Sequence, residues 1–125
     1  MPAKQKNLTC VTELPGLTPL ANYSLLRTTT NPLVFLSGQI PLNSKGEIES
    51  QEPSKQMVQC MKNVKTILKE VNLDFTDIVK IVVYLENMDD FPKVNAEYNK
   101  LFTKNPPVRT CIAVRTLPKN GILFK

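Results

Sequence analysis

Residues 77–86 form a nearly continuous apolar run that contains two isoleucines and three valines. Such a run is typical of a central strand buried on both faces, beside a crossover helix. In the segment before it, apolar residues recur at three- and four-residue steps, which predicts a helix over about residues 50–71. The predicted helix has one apolar stripe, formed by Met57, Met61, Val64, Ile67 or Leu68, and Val71. Ser50 can cap its start and Asn72 can end it.

A second helix is predicted over about residues 90–103. Residues 87–90 (NMDD) supply an N-cap and acids for its first turn. Its apolar face is formed by Phe91, Val94, Tyr98, Leu101 and Phe102. Asn95 lies among these residues, so its side chain needs a hydrogen-bond partner if it is buried.

The first third of the chain is predicted to be β-structure. Residues 8–12 are a short strand candidate, and residues 23–29 and 33–37 are predicted to pair as a hairpin around Asn31-Pro32. Ser37 and Gly38 end the second of these strands. The glycine either bends the chain or lets another group approach the backbone closely.

Near the C-terminus, Pro106-Pro107 and Pro118 bound a predicted strand over residues 108–117. Alternation places Val108, Thr110, Ile112 and Val114 on one face, which is predicted to be core, and Arg109, Cys111, Ala113 and Arg115 on the other. Two interpretations of the charged face stay open at this point. It is either an edge strand protected by charge or a site where a guanidinium binds a carboxylate.

With a last strand from Gly121, the predicted order is β-β-β-α-β-α-β-β in one domain over residues 1–125, of which residues 1–7 are frayed. This order predicts an α+β fold in which two helices pack on one face of a mixed sheet. Two helices can shield one face of a sheet. We therefore expect a homo-oligomer that buries the other face, with the Arg109 side in or beside the subunit interface.

Composition limits the chemistry. The chain has no histidine, so a Ser-His or Cys-His catalytic pair and a His-ligated zinc site are excluded. The cysteines Cys10, Cys60 and Cys111 are widely spaced, which is typical of reduced packing thiols in a cytoplasmic protein. No apolar run is long enough for a membrane span, and no secretory signal is visible.

The net charge of +5 suits an anionic partner. The lysines at positions 62, 65 and 69 are interpreted as the solvated side of the first helix. Few aromatic residues are available for stacking on RNA bases, so nucleic acid ranks last among the predicted partners.

Several motifs together resemble one family, the Rid proteins, which are reactive-intermediate imine deaminases also called YjgF or L-PSP. The resemblance runs from about Leu17 to Leu117. It rests on Tyr23-Ser24, residues 33–42 (LVFLSGQIPL), residues 77–80 (DIVK), residues 90–95 (DFPKVN) with Tyr98, and residues 107–111 (PVRTC) with Leu117-Pro118. It implies a chorismate-mutase-like fold, a homotrimer with ligand clefts between subunits, and hydrolysis of 2-imino or 2-enamino acids to 2-keto acids. It implies no cofactor.

The resemblance also implies roles for individual residues. Arg109 would hold the substrate carboxylate, and Cys111 would contribute its backbone carbonyl rather than act as a nucleophile. Tyr23, Ser37, Gly38 and Asn95 would be substrate-binding or supporting residues of the cleft. Many members use a glutamate on the last strand to activate water, but the corresponding position here is Phe124. An acid after Lys125 in a longer protein would supply this function.

Three functions therefore remain open. The first is an imine deaminase with Arg109 as its anchor, and the second is a binding or regulatory protein that takes 2-keto acids without turnover. The third is a ribonuclease or translation inhibitor. It ranks last because the chain lacks the histidine that ribonucleases commonly use as an acid and base.

Overall fold

The computed structural model describes residues 10–119, which form four strands and two helices in the order β-β-α-β-α-β. The elements are β1 (Cys10–Val11), β2 (Leu26–Arg27), α1 (Pro53–Lys69), β3 (Lys80–Leu85), α2 (Phe91–Leu101) and β4 (Val108–Ala113). Short 3-10 turns at Phe75–Asp77 and Met88–Asp90 precede β3 and α2. The predicted α+β class is confirmed, as are the two helices.

The strands β3 and β4 are parallel neighbours, and α2 is the crossover between them. Ile81 lies opposite Arg109, Val83 opposite Cys111 and Leu85 opposite Ala113. Opposite residues of neighbouring strands project to the same face, so these residues share one side of the sheet. The apolar run over residues 77–86 contains β3 beside a crossover helix, as predicted. Burial on both faces is not observed, because Val82 and Tyr84 are only half-buried and β4 is the one strand that pairs with β3 within residues 10–119.

Both helices pack on this side of β3. Val83 and Leu85 contact a buried cluster from the helices that contains Met57, Cys60, Met61, Val94, Tyr98 and Phe102. The predicted stripe of α1 is confirmed at Met57, Met61 and Leu68, whereas Val71 lies beyond the helix and is 48% exposed. The core therefore lies between the two helices and the face of β3 that carries its odd-numbered residues.

The start of α1 differs from the prediction, whereas its end agrees with it. Its N-cap is Glu52, with Pro53 in the first turn, so Ser50 does not cap the helix. The Ser50 hydroxyl instead accepts a hydrogen bond from the Glu52 N–H, and the Ser50 carbonyl accepts one from the Gln56 side chain. Proline suits the first helical turn because that turn has N–H groups without helical partners. At the other end Asn72 has φ = 58°, in agreement with the predicted exit.

The hairpin predicted around Asn31-Pro32 is wrong. Residues 33–37 belong to no strand, and Phe35 among them is 87% exposed. Leu26–Arg27 pairs instead with Cys10–Val11, in antiparallel register. A short apolar run forms a strand only when a neighbouring strand pairs with its backbone. Here β1 pairs with β2 in the place predicted for residues 33–37.

The single mixed sheet is also not found within residues 10–119. An antiparallel pair, β1–β2, and a parallel pair, β3–β4, form two separate sheets. The strand predicted from Gly121 lies outside the described residues. Neither helix of the described part is long and apolar enough to cross a membrane.

The two faces of β4 are the reverse of the prediction. Arg109 and Cys111 lie on the side that the helices cover, while Thr110 is exposed and Ile112 is 43% exposed on the other. The arginine can lie on the inner side because aromatic rings and an amide surround its guanidinium. The outer face, which carries Val82, Tyr84 and Ile112, is covered by neither helix.

Candidate functional site

The Arg109 guanidinium lies at the junction of β4 and α2. Its Nη1 donates a hydrogen bond to Asn95 Oδ1 over 2.9 Å. This bond supplies the partner that Asn95, on the apolar face of α2, was predicted to need. The crossover helix therefore positions the arginine through a side chain one turn into the helix.

Three aromatic rings surround the same guanidinium. The Cζ atom lies 4.5 Å from the Tyr98 ring centroid, 5.4 Å from that of Phe91 and 5.7 Å from that of Tyr23. Ring faces stabilise a cation without neutralising it. No carboxylate of residues 10–119 forms an ion pair with Arg109. Its positive charge therefore remains available for an anion.

A cavity of about 350 Å³ opens beside this arginine. Its described lining consists of Leu20, Ala21, Tyr23, Met88, Phe91, Arg109 and Cys111. One charged group in an otherwise apolar wall is typical of a site for a small organic anion. Low local polarity strengthens the electrostatic interaction between that anion and the guanidinium.

The loop that carries Tyr23 is fixed to β4 and α2 by its neighbours. Asn22 Nδ2 donates to the Phe102 carbonyl over 2.7 Å, and the Ser24 N–H donates to the Pro107 carbonyl over 3.1 Å. The buried Ser24 hydroxyl donates to the Pro106 carbonyl. These bonds bracket Tyr23 on both sides and hold its ring near Arg109.

Cys111 lies two residues beyond Arg109 on the same face, and it also lines the cavity. Burial raises the pKa of its thiol, and the nearby Arg109 charge opposes that shift only in part. The thiol is therefore protonated at neutral pH, which disfavours a nucleophilic role.

The backbone of Cys111 is better placed than its thiol. The Val108 N–H donates to the carbonyl of Val79, just before β3, and the Val114 N–H donates to the carbonyl of Leu85 in β3. The Pro107 carbonyl accepts from the Ser24 N–H on the other side of β4. Strand alternation directs the Cys111 carbonyl to the Pro107 side as well. This is the edge of β4 along which the Tyr23 loop runs.

Tyr98 is the feature of this site that the sequence did not identify as functional. Its side chain is 1% exposed, and its hydroxyl has no hydrogen-bond partner within the described part of the chain. Burial raises its pKa to about 12, although Arg109 acts in the opposite direction. Its position three residues after Asn95 was the available signal, because residues at that spacing share a helix face.

Ser37 and Gly38, the remaining predicted site residues, do not line the Arg109 cavity. They line a larger cavity of about 960 Å³, which lies among α1, β3 and residues 31–39. The structure therefore brings together Tyr23, Asn95, Arg109 and Cys111. Roles for Ser37 and Gly38 in binding substrate stay predictions.

The family model described as Endoribonuclease L-PSP matches residues 15–124. The chain belongs to the Rid family, also called YjgF or L-PSP. Among curated relatives, this Rid protein is 44% identical to a candidate regulator, AldR, of Lactococcus lactis over 74% of this chain and 75% of the relative. It is 38% identical to a 2-iminobutanoate/2-iminopropanoate deaminase of Salmonella typhimurium, over 70% and 71% of the two chains.

Solved structures of similar proteins support the assignment of this chain to the Rid family. Yeast Mmf1 superposes with a TM-score of 0.71 at 34% identity, covering 94% of this chain and 93% of that one. The YjgF protein of E. coli superposes with a TM-score of 0.64 at 37% identity, covering 70% and 71%. The α+β arrangement described above is thus the arrangement of the family.

Proposed function

We propose that this Rid protein hydrolyses reactive 2-imino or 2-enamino acids, such as 2-aminoacrylate, to 2-keto acids and ammonia. The observation that carries the proposal is the Arg109 guanidinium, which faces a small apolar cavity without a carboxylate partner in the described chain. The Salmonella relative, named as an imine deaminase, supports the same reaction. Neither cofactor nor metal is part of the proposal.

In the proposed reaction Arg109 holds the substrate carboxylate through two parallel N–H···O bonds. The Cys111 carbonyl accepts from the imine nitrogen, Tyr23 covers the ligand and Asn95 keeps the guanidinium in place. Water then adds to the C=N carbon. The C–N bond breaks as the nitrogen takes up protons, leaving the keto acid and ammonia. Because the imine carbon is already electrophilic, orientation of substrate and water supplies most of the catalysis.

No residue of this mechanism is yet assigned as the base that activates water. The family position for a glutamate corresponds to Phe124, which lies outside the described residues. A phenyl ring can neither orient nor deprotonate water. Without that acid, positioning at Arg109 gives a slower deaminase, since general acid–base assistance typically contributes about 10²–10⁴-fold.

The direct test generates imines from serine and threonine with a dehydratase, in the presence of semicarbazide as a competing trap. We expect the protein to increase keto-acid release and to decrease semicarbazone formation in proportion to its concentration. Keto-acid release no faster than in buffer would exclude the deaminase proposal.

A second candidate function is binding of 2-keto acids or similar carboxylates without turnover, in a regulatory role. Two observations favour it: the relative named as a candidate regulator, and Phe124 at the position of the family glutamate. It predicts keto-acid binding by calorimetry in a protein that leaves imines unchanged. Ribonuclease activity, which the family description names, ranks below both functions because the chain has no histidine.

A single domain, a chorismate-mutase-like fold and a homotrimer with clefts between subunits are parts of the same proposal. The outer face of β3 and β4 supports the assembly, because its side chains include the half-buried Tyr84 and the exposed Ile112. A cytoplasmic location is likewise proposed, although one relative in fission yeast is named a mitochondrial protein.

Light scattering tests the assembly. We expect a mass three times the 14.1 kDa of one chain. Ile112→Asp places a charge on the outer face and is expected to shift the mass toward that of a monomer, whereas Thr110→Asp, a charge at an already polar exposed position, shifts it less. A monomeric wild-type protein would contradict the trimer.

A further inference from the structure

Residues 105–107, which we call the entry segment, lead into the strand that carries Arg109. Pro106 and Pro107 are both buried, and neither has a backbone N–H group. Asn105 before them has φ = 46°, in the left-handed region that asparagine tolerates better than most residues. The two prolines can therefore be fixed by backbone hydrogen bonds only through their carbonyls.

All three carbonyls of the entry segment accept hydrogen bonds from β2 and the residues just before it. The Arg27 guanidinium donates to the Asn105 carbonyl over 2.7 Å. The hydroxyl and the N–H of Ser24 donate to the two proline carbonyls. The path of the chain before β4 is therefore set by contacts with β2 and its loop.

Arg27 also donates to a carbonyl at the start of the neighbouring strand. Its Nη1 atom lies 3.3 Å from the carbonyl oxygen of Ile78, just before β3. The strands β3 and β4 begin side by side, with Lys80 opposite Val108. In the described chain Arg27 forms no ion pair. Its guanidinium thus joins the starts of both strands through charge-assisted hydrogen bonds, which are stronger than neutral ones.

We propose that Arg27 is a positioning residue that sets the place of the Arg109 guanidinium relative to the Tyr23 ring. Arg109 follows the entry segment closely, and Tyr23 lies in the loop just before β2, so the bonds of Arg27 connect two walls of the cavity. The inference rests on the proposed function, in which Arg109 binds the substrate carboxylate, and it adds a residue that does not touch the substrate.

Loss of the Arg27 side chain affects Arg109 through the entry segment. The Asn105 carbonyl would then bond to water, and the left-handed residue would lose the contact that fixes its peptide group. The strand start could relax, which would move the Arg109 guanidinium from its present place, 5.7 Å from the centre of the Tyr23 ring.

Titration calorimetry with pyruvate, a 2-keto acid, measures this positioning without turnover. We expect Arg27→Ala to raise Kd about 10-fold, because a remote substitution that misplaces a binding group by about 1 Å can cost up to about 10²-fold. The number of binding sites per chain is expected to match that of the wild type. A purely structural role would give the opposite pattern, with fewer binding-competent molecules and an unchanged Kd.

Further variants separate the hydrogen bonds of Arg27 from its charge. Arg27→Lys keeps a charged donor without the planar fork, so we expect a smaller rise in Kd. Lys104→Ala is the matched control, because it removes an exposed cation next to Asn105 and leaves Arg27 in place. An equal rise in Kd for Lys104→Ala, or a wild-type Kd in Arg27→Ala, would overturn the proposal. If the alanine variant does not fold, Arg27→Gln takes its place with the same expectation.

The imine assay with semicarbazide separates the positioning role from the deaminase reaction. We expect Arg27→Ala to lower kcat/KM by about the factor by which it raises Kd. Weaker pyruvate binding in Arg27→Ala, with no turnover in either protein, would support the positioning role and exclude the deaminase. Turnover and binding equal to those of the wild type would overturn the positioning role and leave the deaminase in place. A wild-type protein with neither binding nor turnover would overturn both.

Discussion

Replacing Arg109 with alanine is expected to lower kcat/KM for imine hydrolysis by about 100-fold or more. The guanidinium is the one charge of the described cavity lining, and removing one partner of a buried charge pair costs about 2–5 kcal/mol. The same variant is expected to lose calorimetric binding of 2-keto acids. Stopped assays of keto-acid release and titration calorimetry measure the two effects on one preparation.

Two further variants separate the geometry of Arg109 from its charge. Arg109→Lys keeps the positive charge but loses the planar fork, so we expect it to recover only a small part of the activity. Arg115→Ala removes an exposed arginine downstream of the same strand and is expected to retain activity. Full activity in Arg109→Ala, or an equal loss in Arg115→Ala, would exclude the carboxylate anchor.

The sequence predicted those parts of the fold that depend on local periodicity. The stripe of α1 and the apolar run of β3 are both recognisable because each keeps one period over several residues. Asn95 was predictable in a different way. An amide on an apolar helix face needs a partner, and the partner is the arginine predicted to bind a carboxylate.

Three features depend on contacts that periodicity does not encode. The segment over residues 33–37 has the composition of a strand, but no strand pairs with it in the described chain. The faces of β4 were assigned by polarity, which fails when aromatic rings accommodate a guanidinium on the inner side. Tyr98 was assigned to the core, and only the structure shows its ring 4.5 Å from the arginine.

The Arg109 site is therefore built by residues with two functions each. Tyr98 is a core residue whose ring also stabilises the Arg109 cation. The Asn95 amide, on the apolar face of α2, finds its hydrogen-bond partner in the Arg109 guanidinium and so also holds that group in place. Substitutions on this face of α2 should consequently change stability and activity by different amounts. A comparison at Tyr98 can separate the two.

Tyr98→Leu keeps an apolar side chain in the core but removes the ring beneath Arg109. Loss of a desolvated cation–π interaction of about 2 kcal/mol predicts a fall in kcat/KM of roughly 30-fold per folded molecule. Phe102→Leu is the matched control, because Phe102 is a buried aromatic residue that packs against Tyr98 in a tilted arrangement, with ring centroids 4.6 Å apart. Its substitution should destabilise the fold without this loss of activity. Equal activity in both variants would contradict a positioning role for Tyr98.

Tyr98→Phe keeps the ring and removes the hydroxyl that lacks a partner among residues 10–119. Because burial of an unpaired hydroxyl costs about 1–3 kcal/mol, we expect this variant to retain activity and to be at least as stable as the wild type at pH 7. A loss of more than about 1 kcal/mol in chemical denaturation would show that the hydroxyl has a partner in solution.

Measuring the stability of wild type and Tyr98→Phe at alkaline pH tests whether burial raises the pKa of Tyr98. Burial raises the Tyr98 pKa from 10.0 to about 12 in the folded protein, so above pH 10 the unfolded chain releases this proton more readily. Below pH 10 this difference in pKa does not change the free energy of unfolding of the wild type. Between pH 10 and pH 12 the free energy of unfolding falls, because only the unfolded chain gives up the proton. Tyr98→Phe has no such proton, and its stability should decline less steeply than that of the wild type across this range. Parallel stability curves for the two proteins would show that Tyr98 is hydrated in the folded state and does not carry the raised pKa.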